Sequence, residues 1–272
     1  MEIKDQTNEN AKKTKETRSY QVVKANELIQ KSRFTLKVQE QKIILYLISK
    51  IKPEDMELKE HTFKIQDFCT ICGLDAYSGA NYAYIKQTLK DLRDKSIWVM
   101  LADGYETTLS WFDYIKIKKD SGSVIIKISD NMKPYLIQLK QQYTQYELLY
   151  ILAMKSQYSL RLYEILKSYE YQHRKIFEID DLKKKLSADH YNLFADFQRN
   201  VIDIAIREIN DLSDINVAYK IIKESRRFAK IEFFIQLEKD ITERVKTWAR
   251  IEEVLDGDQV LLFDGDKTFE NN

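Results

Sequence analysis

The sequence predicts an α+β fold, mainly helical with β-hairpins, made of two tandem copies of one unit. Three observations carry that prediction. A short motif recurs: Phe63, Ile65, Asp67 and Phe68 (FKIQDF) return 114 residues later as Phe177, Ile179, Asp181 and Leu182 (FEIDDL). Hydrophobic residues make up 44% and aromatics 12% of 272 residues, enough for a sizeable core and too many for a disordered chain. Six glycines and two prolines are few for this length, which disfavours β-sandwiches, Gly-rich nucleotide loops and linker-dominated architectures.

Met1 to Ser19 has almost no apolar residues and mixed charge, too little to offset the entropy of ordering, so residues 1–19 are expected to form a flexible arm. The first unit, residues 20–135, opens on a helix whose apolar face is Leu36, Ile43, Ile44, Leu47, Ile48 and Ile51. The alternation of Phe63 and Ile65 reads as a short strand running into a helix, with Asp67 at the capping end. A further helix, capped by Asn81, carries Ile85, Leu89 and Leu92 on one face. Strands follow over Ile97–Leu101, Trp111–Ile117 and Val124–Ile128, punctuated by Asp103-Gly104 and Ser121-Gly122. Pro134 starts a helical connection from Lys133 to Gln142.

The second unit, residues 136–240, repeats this order. Its leading helix carries Leu160, Tyr163, Ile165, Leu166 and Tyr169, and its third helix the stripe Phe194, Phe197, Val201, Ile204 and Ile209. Strands are expected over Ile215–Ile222 and Ile231–Leu237. In residues 241–272, Ile241, Val245, Trp248 and Ile251 share a face of a last helix, which leads into an acidic tail.

Helix, strand, helix, helix, hairpin is the order of the winged helix-turn-helix, whose third helix enters a DNA major groove while the wing lies along the backbone or minor groove. The expected fold is therefore two tandem winged helix-turn-helix domains with β-hairpin wings. A formal charge of +1, from 44 bases and 43 acids, argues against a basic nucleic-acid binder at first sight. The charge is unevenly placed, however. Residues 252–272 carry seven acids against Lys267 alone, so residues 1–251 hold 43 bases and 36 acids, a net +7.

The residues that carry this order also resemble a known family, the iteron-binding plasmid replication initiators, or Rep proteins, built from two winged-helix domains. YELLYILAMKSQYSLRLYEILKSY (146–169), FEIDDLKKKL (177–186) and a helix ending REINDL (207–212) are similar to that family's signature order. In the first half TLKVQEQKIILYLISKI (35–51) and YIKQTLKDLRDKSIWV (84–99) correspond, and the likeness covers residues 20–240. The resemblance implies a protein that binds direct repeats in double-stranded origin DNA, helps open adjacent AT-rich DNA and recruits host replication proteins such as the helicase and initiator; its cytoplasmic location is expected from cysteine usage and the lack of an apolar span or signal-peptide core. The resemblance also implies a homodimer that represses its own promoter, as part of copy control.

DNA-contacting residues can be argued locally. On the first reading helix Lys86, Gln87, Lys90 and Arg93 remain once the core face is assigned; lysines supply phosphate charge and Gln87 an adenine contact, with a solvated helix face as the competing explanation. On the second, Arg199, Asn200, Asp203 and Arg207 form the polar set, arginine suiting guanine and asparagine adenine. The wing at residues 217–230 holds Lys220, Lys223, Arg226, Arg227 and Lys230 against only Glu224, suiting backbone or minor-groove contact. Lys183, Lys184 and Lys185 are divided between a backbone contact and a solvated face.

No other chemistry is expected: no enzyme activity, cofactor or metal. Cys69-x-x-Cys72 lacks a second pair or a histidine at zinc spacing, and reads as two semi-buried thiols in a reducing compartment. His61, His173 and His190 are isolated, which argues against a metal-dependent nucleophilic tyrosine of the rolling-circle type. There is no GxxxxGK[ST] phosphate loop, no apolar run long enough to span a membrane and no signal-peptide core. A winged-helix transcriptional regulator with no replication role, or a protein-interaction module, would share these features.

Overall fold

The computed structural model describes residues 2–257 apart from positions 53, 120, 226 and 237–240, with side chains from residue 9 onward. In the first unit the chain runs α1 (Glu2–Arg18), β1 (Gln21–Ala25), α2 (Asn26–Lys31), β2 (Ser32–Arg33), α3 (Val38–Ile48), β3 (Glu60–Lys64), α4 (Ile65–Ile71) and α5 (Gly79–Leu92). Four strands follow: β4 (Ser96–Met100), β5 (Glu106–Ser110), β6 (Phe112–Ile117) and β7 (Ser123–Ile128). The winged unit is α3, β3, α4, α5 and the β6–β7 hairpin, with β3 pairing to β7 in the order β3-β7-β6. An additional hairpin, β4–β5, is inserted between α5 and β6 and pairs with β2.

The second half continues with α6 (Lys133–Leu136), β8 (Tyr143–Glu147), α7 (Leu149–Leu152), α8 (Gln157–Lys167), β9 (Arg174–Glu178), α9 (Ile179–Lys185) and α10 (Phe194–Phe197). A π-helical turn, Gln198–Ile202, joins α10 to α11 (Asp203–Leu212); β10 (Asn216–Glu224), β11 (Arg227–Gln236) and α12 (Ile241–Gly257) complete it. The sheet order β10-β11-β9 repeats that of the first wing, so the two motif copies fold alike.

Three expectations are corrected. The segment expected as a flexible arm at residues 1–19 is helical over Glu2–Arg18, and its end is anchored by Arg18, which is 2% exposed and donates to the carbonyls of Ile71 (3.0 Å) and Thr70 (3.2 Å) and to Asp256 Oδ1 (2.9 Å). The helical connection from Lys133 to Gln142 stops after one turn at Leu136, with Gln138 and Gln142 at positive φ, and β8 then pairs antiparallel with β1. The cap of α5 is Ser78, whose Oγ accepts from the Asn81 N–H at 3.3 Å, while Asn81 is buried inside the helix.

One continuous apolar core runs through both units. At its centre α8 is buried on all sides, from Tyr158 to Lys167. A helix so placed must find partners for its polar groups. Arg161 bonds carbonyls of the first unit, Glu164 pairs with the buried Lys24, and Lys167 pairs with Asp214 at 2.8 Å.

The last helix closes the molecule. Ile251 and Leu255 are buried and Trp248 Nε1 donates to Tyr150 Oη at 3.3 Å, whereas Ile241 and Val245, on the expected stripe, are exposed. Its far end meets the turn after α4: a Cβ on Gly73, at φ +69, would stand 2.4 Å from the Leu255 carbonyl oxygen. Of the acids counted in the tail, Glu252, Glu253 and Asp256 belong to this helix, where Glu252 pairs with Lys15 (3.2 Å) and Asp256 with Arg18 (2.9 Å); residues 258–272 lie outside the described residues.

Candidate nucleic-acid interface

On α5 the inward face is Ile85, Leu89 and Leu92, all fully buried, which leaves Gln87, Lys90 and Arg93 exposed and Lys86 half-buried. Lys86, Lys90 and Arg93, at i, i+4 and i+7, share one side of the helix. Gln87 Nε2 donates to Asp91 Oδ1 at 2.7 Å and must leave that bond to meet a base edge.

The second reading helix is broken by the π-helical turn, which inserts an extra residue and rotates the faces that follow. Phe197, Val201, Ile202, Ala205 and Ile209 therefore make the buried stripe, and Ile204, expected in it, is only half-buried. Arg199, Asp203 and Arg207 are exposed and Asn200 is half-buried. Arg199 pairs with Asp196 at 2.8 Å, but with its side chain 73% exposed this pair is easily exchanged for another anion. Tyr219 of β10 donates to Asp203 and accepts from Gln198 at 2.9 Å, which ties Asp203 to the wing and suits it to positioning.

The second wing gathers Lys223 and Arg227, both exposed, with Lys230 half-buried; Arg226 lies outside the described residues. Its bases are answered by one acid of the wing itself, Glu224, and by two that the wing sequence does not contain. Lys230 pairs with Glu224 (2.8 Å) and with Glu178 of β9 (3.3 Å), and Arg227 pairs with Asp180 of α9 (3.2 Å). The hydrogen bond to Glu224, then that to Glu178, holds the Lys230 ammonium above its ordinary range. Of the lysine run only Lys184 is exposed: Lys183 donates to the Tyr191 carbonyl at 2.5 Å and Lys185 to the Gln30 carbonyl at 2.6 Å.

The structure adds aromatic contacts between wing and helix. Phe228 of β11 stacks on Phe194, the first residue of α10, with centroids 4.5 Å apart and rings inclined by 24°. In the first unit Gly122, at the wing's turn, faces the ring of Tyr82 in the first turn of α5. Phe228 between bases was visible in the sequence; its partner, more than thirty residues away, carried no local signal.

Burial pushes the Cys72 thiol up to about 12 and the Cys69 thiol up to about 11, so neither is a thiolate at neutral pH. No helix among the described residues is long and apolar enough to cross a membrane.

Comparison with known proteins bears on this architecture directly. Residues 21–167 match the family model described as initiator replication protein, WH1, and residues 178–235 the one described as initiator Rep protein, WH2. The chain is 27% identical over 154 residues to the PI protein of Escherichia coli, a match covering 50% of each. It is 25% identical over 232 residues to a replication initiation protein of Escherichia coli, covering 81% of this chain and 71% of that one. The crystal structure of the Pi initiator protein in complex with iteron DNA superposes with a TM-score of 0.65 at 22% identity, over 82% of this chain and 99% of that one, which shows the shared fold. With both winged-helix models matched in order, the chain belongs to the family of initiator replication proteins.

Proposed function

We propose that the chain initiates plasmid replication in the cytoplasm by binding direct repeats (iterons) in double-stranded origin DNA through its two helix-and-wing units. The observation that carries this reading is the serial pair of winged units, in a fold shared with the Pi initiator that was solved on iteron DNA. In the first unit Lys86, Lys90 and Arg93 meet phosphates and Gln87 a base edge. In the second, Arg199, Asn200 and Arg207 read bases, with Asp203 positioning them against the wing. Lys223, Arg226, Arg227 and Lys230 hold the backbone or minor groove beside that helix. Binding opens adjacent AT-rich DNA, host helicase and initiator proteins join the complex, and a homodimer represses the gene's own promoter. The role is one of binding, without catalysis by this chain.

The test is a binding assay of the purified protein on the repeat-bearing DNA of its own origin against a scrambled duplex of equal length. Preference for the repeats of at least about 10³-fold at physiological salt is expected. Equal affinity for both would overturn the proposal.

A further inference from the structure

We propose that Phe228 is a positioning residue for DNA binding, holding the second wing at a fixed angle to the reading helix by stacking on Phe194. The inference rests on the DNA-binding function proposed above. Strand β9 pairs with β11 only from Lys230 to Phe234, so beyond it β10 and β11 project as a two-stranded ribbon. An isolated pair of strands is marginally stable in water. Among the described residues the ion pair between the ribbon and the body is Arg227 with Asp180, whose side chains are 80% and 71% exposed, so it restrains little.

The stack does more. Phe228 is 38% exposed, an unusual expense of apolar surface among bases, and its ring lies flat against Phe194, which in turn meets the fully buried Phe197 at 6.5 Å. A bulge at the Ile222–Lys223 step re-aims the end of β11, and Lys223 sits with its ammonium 4.6 Å from the Phe228 centroid. A line of three aromatic rings thus runs from the basic ribbon to the core under the reading helix. The first unit uses another device at the same place, seating Gly122 of its wing on Tyr82.

A wing held this way presents its charges in register with the helix before DNA arrives. Releasing it leaves the charge intact and adds an ordering cost on binding. The experiment compares Phe228→Ala and Phe228→Tyr with the parent on repeat-bearing duplex across a salt series, and follows amide hydrogen exchange over residues 223–229 in the free proteins. Phe228→Ala is expected to bind about tenfold more weakly with an unchanged slope of log affinity against log salt, and to exchange faster at the ribbon's end. Phe228→Tyr should return both to parental values. Unchanged affinity or unchanged exchange in Phe228→Ala, or no recovery in Phe228→Tyr, would overturn the proposal. If the parent itself fails to prefer repeats over scrambled DNA, the function is wrong, and the exchange data on free protein still decide whether Phe228 holds the wing.

Discussion

Arg161 of α8 donates from its guanidinium to the carbonyl oxygen of Ser32, 2.8 Å away and 129 residues earlier in the chain. The same group donates to the Ile29 carbonyl at 2.8 Å and lies 4.6 Å from the centre of the Phe34 ring. Burial lowers its pKa to about 10, which still leaves it charged at neutral pH. It therefore closes the open carbonyls at the end of α2 from the leading helix of the second winged unit.

Replacing Arg161 with Met keeps much of the volume and removes every donor. Leaving the Ile29 and Ser32 carbonyls unpaired in the interior is expected to lower the unfolding free energy by about 2–4 kcal/mol. A urea titration checks this: the midpoint falls while the slope stays constant.

Gly73→Ala places a methyl group against the Leu255 backbone at a left-handed φ, so α12 must move. The conformational penalty alone is about 1–2 kcal/mol. Limited proteolysis should then cut within residues 241–257 well before the winged units, and Arg18→Ala, which frees Asp256, should act in the same direction.

Burial lowers the pKa of His61 below its ordinary 6.5, and Lys50 and Lys127 nearby add to the effect of burial against the opposing influence of Asp55. In the window between that lowered value and 6.5 the unfolded chain binds the proton and the folded chain does not, so stability falls as pH drops through it. Thermal melts between pH 7.5 and about 5 should show this slope, and His61→Asn should flatten it.

Arg226→Ala combined with Arg227→Ala removes two wing charges. Affinity should drop on specific and random DNA alike, and the slope of log affinity against log salt should become shallower by about 2. A shift titration in four salt concentrations measures it, and an unchanged slope would place the wing off the phosphates.

Arg199→Ala should act differently, costing about 1–3 kcal/mol on the repeat and relaxing choice at one base pair. A panel of single-base-pair variants of the repeat reads this out. Equal losses on specific and random duplexes would assign Arg199 to the backbone.

The motif FKIQDF and its echo FEIDDL marked both strand-to-helix junctions but not their caps: α4 begins at Ile65 after Lys64 and α9 at Ile179 after Glu178, so Asp67 and Asp181 stand inside the first turn rather than at the capping position. Local periodicity sufficed there because each junction is built from neighbours in sequence. It failed for α1, a polar segment held by Arg18 reaching carbonyls 53 residues away. The faces of α5 were legible because the helix is regular, whereas the π-helical turn after Phe197 shifted Ile204 partly out of the core in a way no 3.6-residue count reveals. On the wing, the bases could be counted, but their partners Glu178 and Asp180 stand on elements more than forty residues earlier.

The pairing of β1 with β8 sets a schedule for synthesis. Ala25 is made 118 residues before its partner Tyr143, a delay on the order of 6–25 s at ordinary elongation rates. Through that interval the buried residues Val22 and Val23 belong to a strand with no neighbour, while α3 to β7 can already assemble from contacts close in sequence. The nascent protein is thus a folded winged unit trailing a sticky, unpaired edge. Slowing translation between residues 130 and 147 should raise its aggregation and its demand for chaperones, long before any DNA is met.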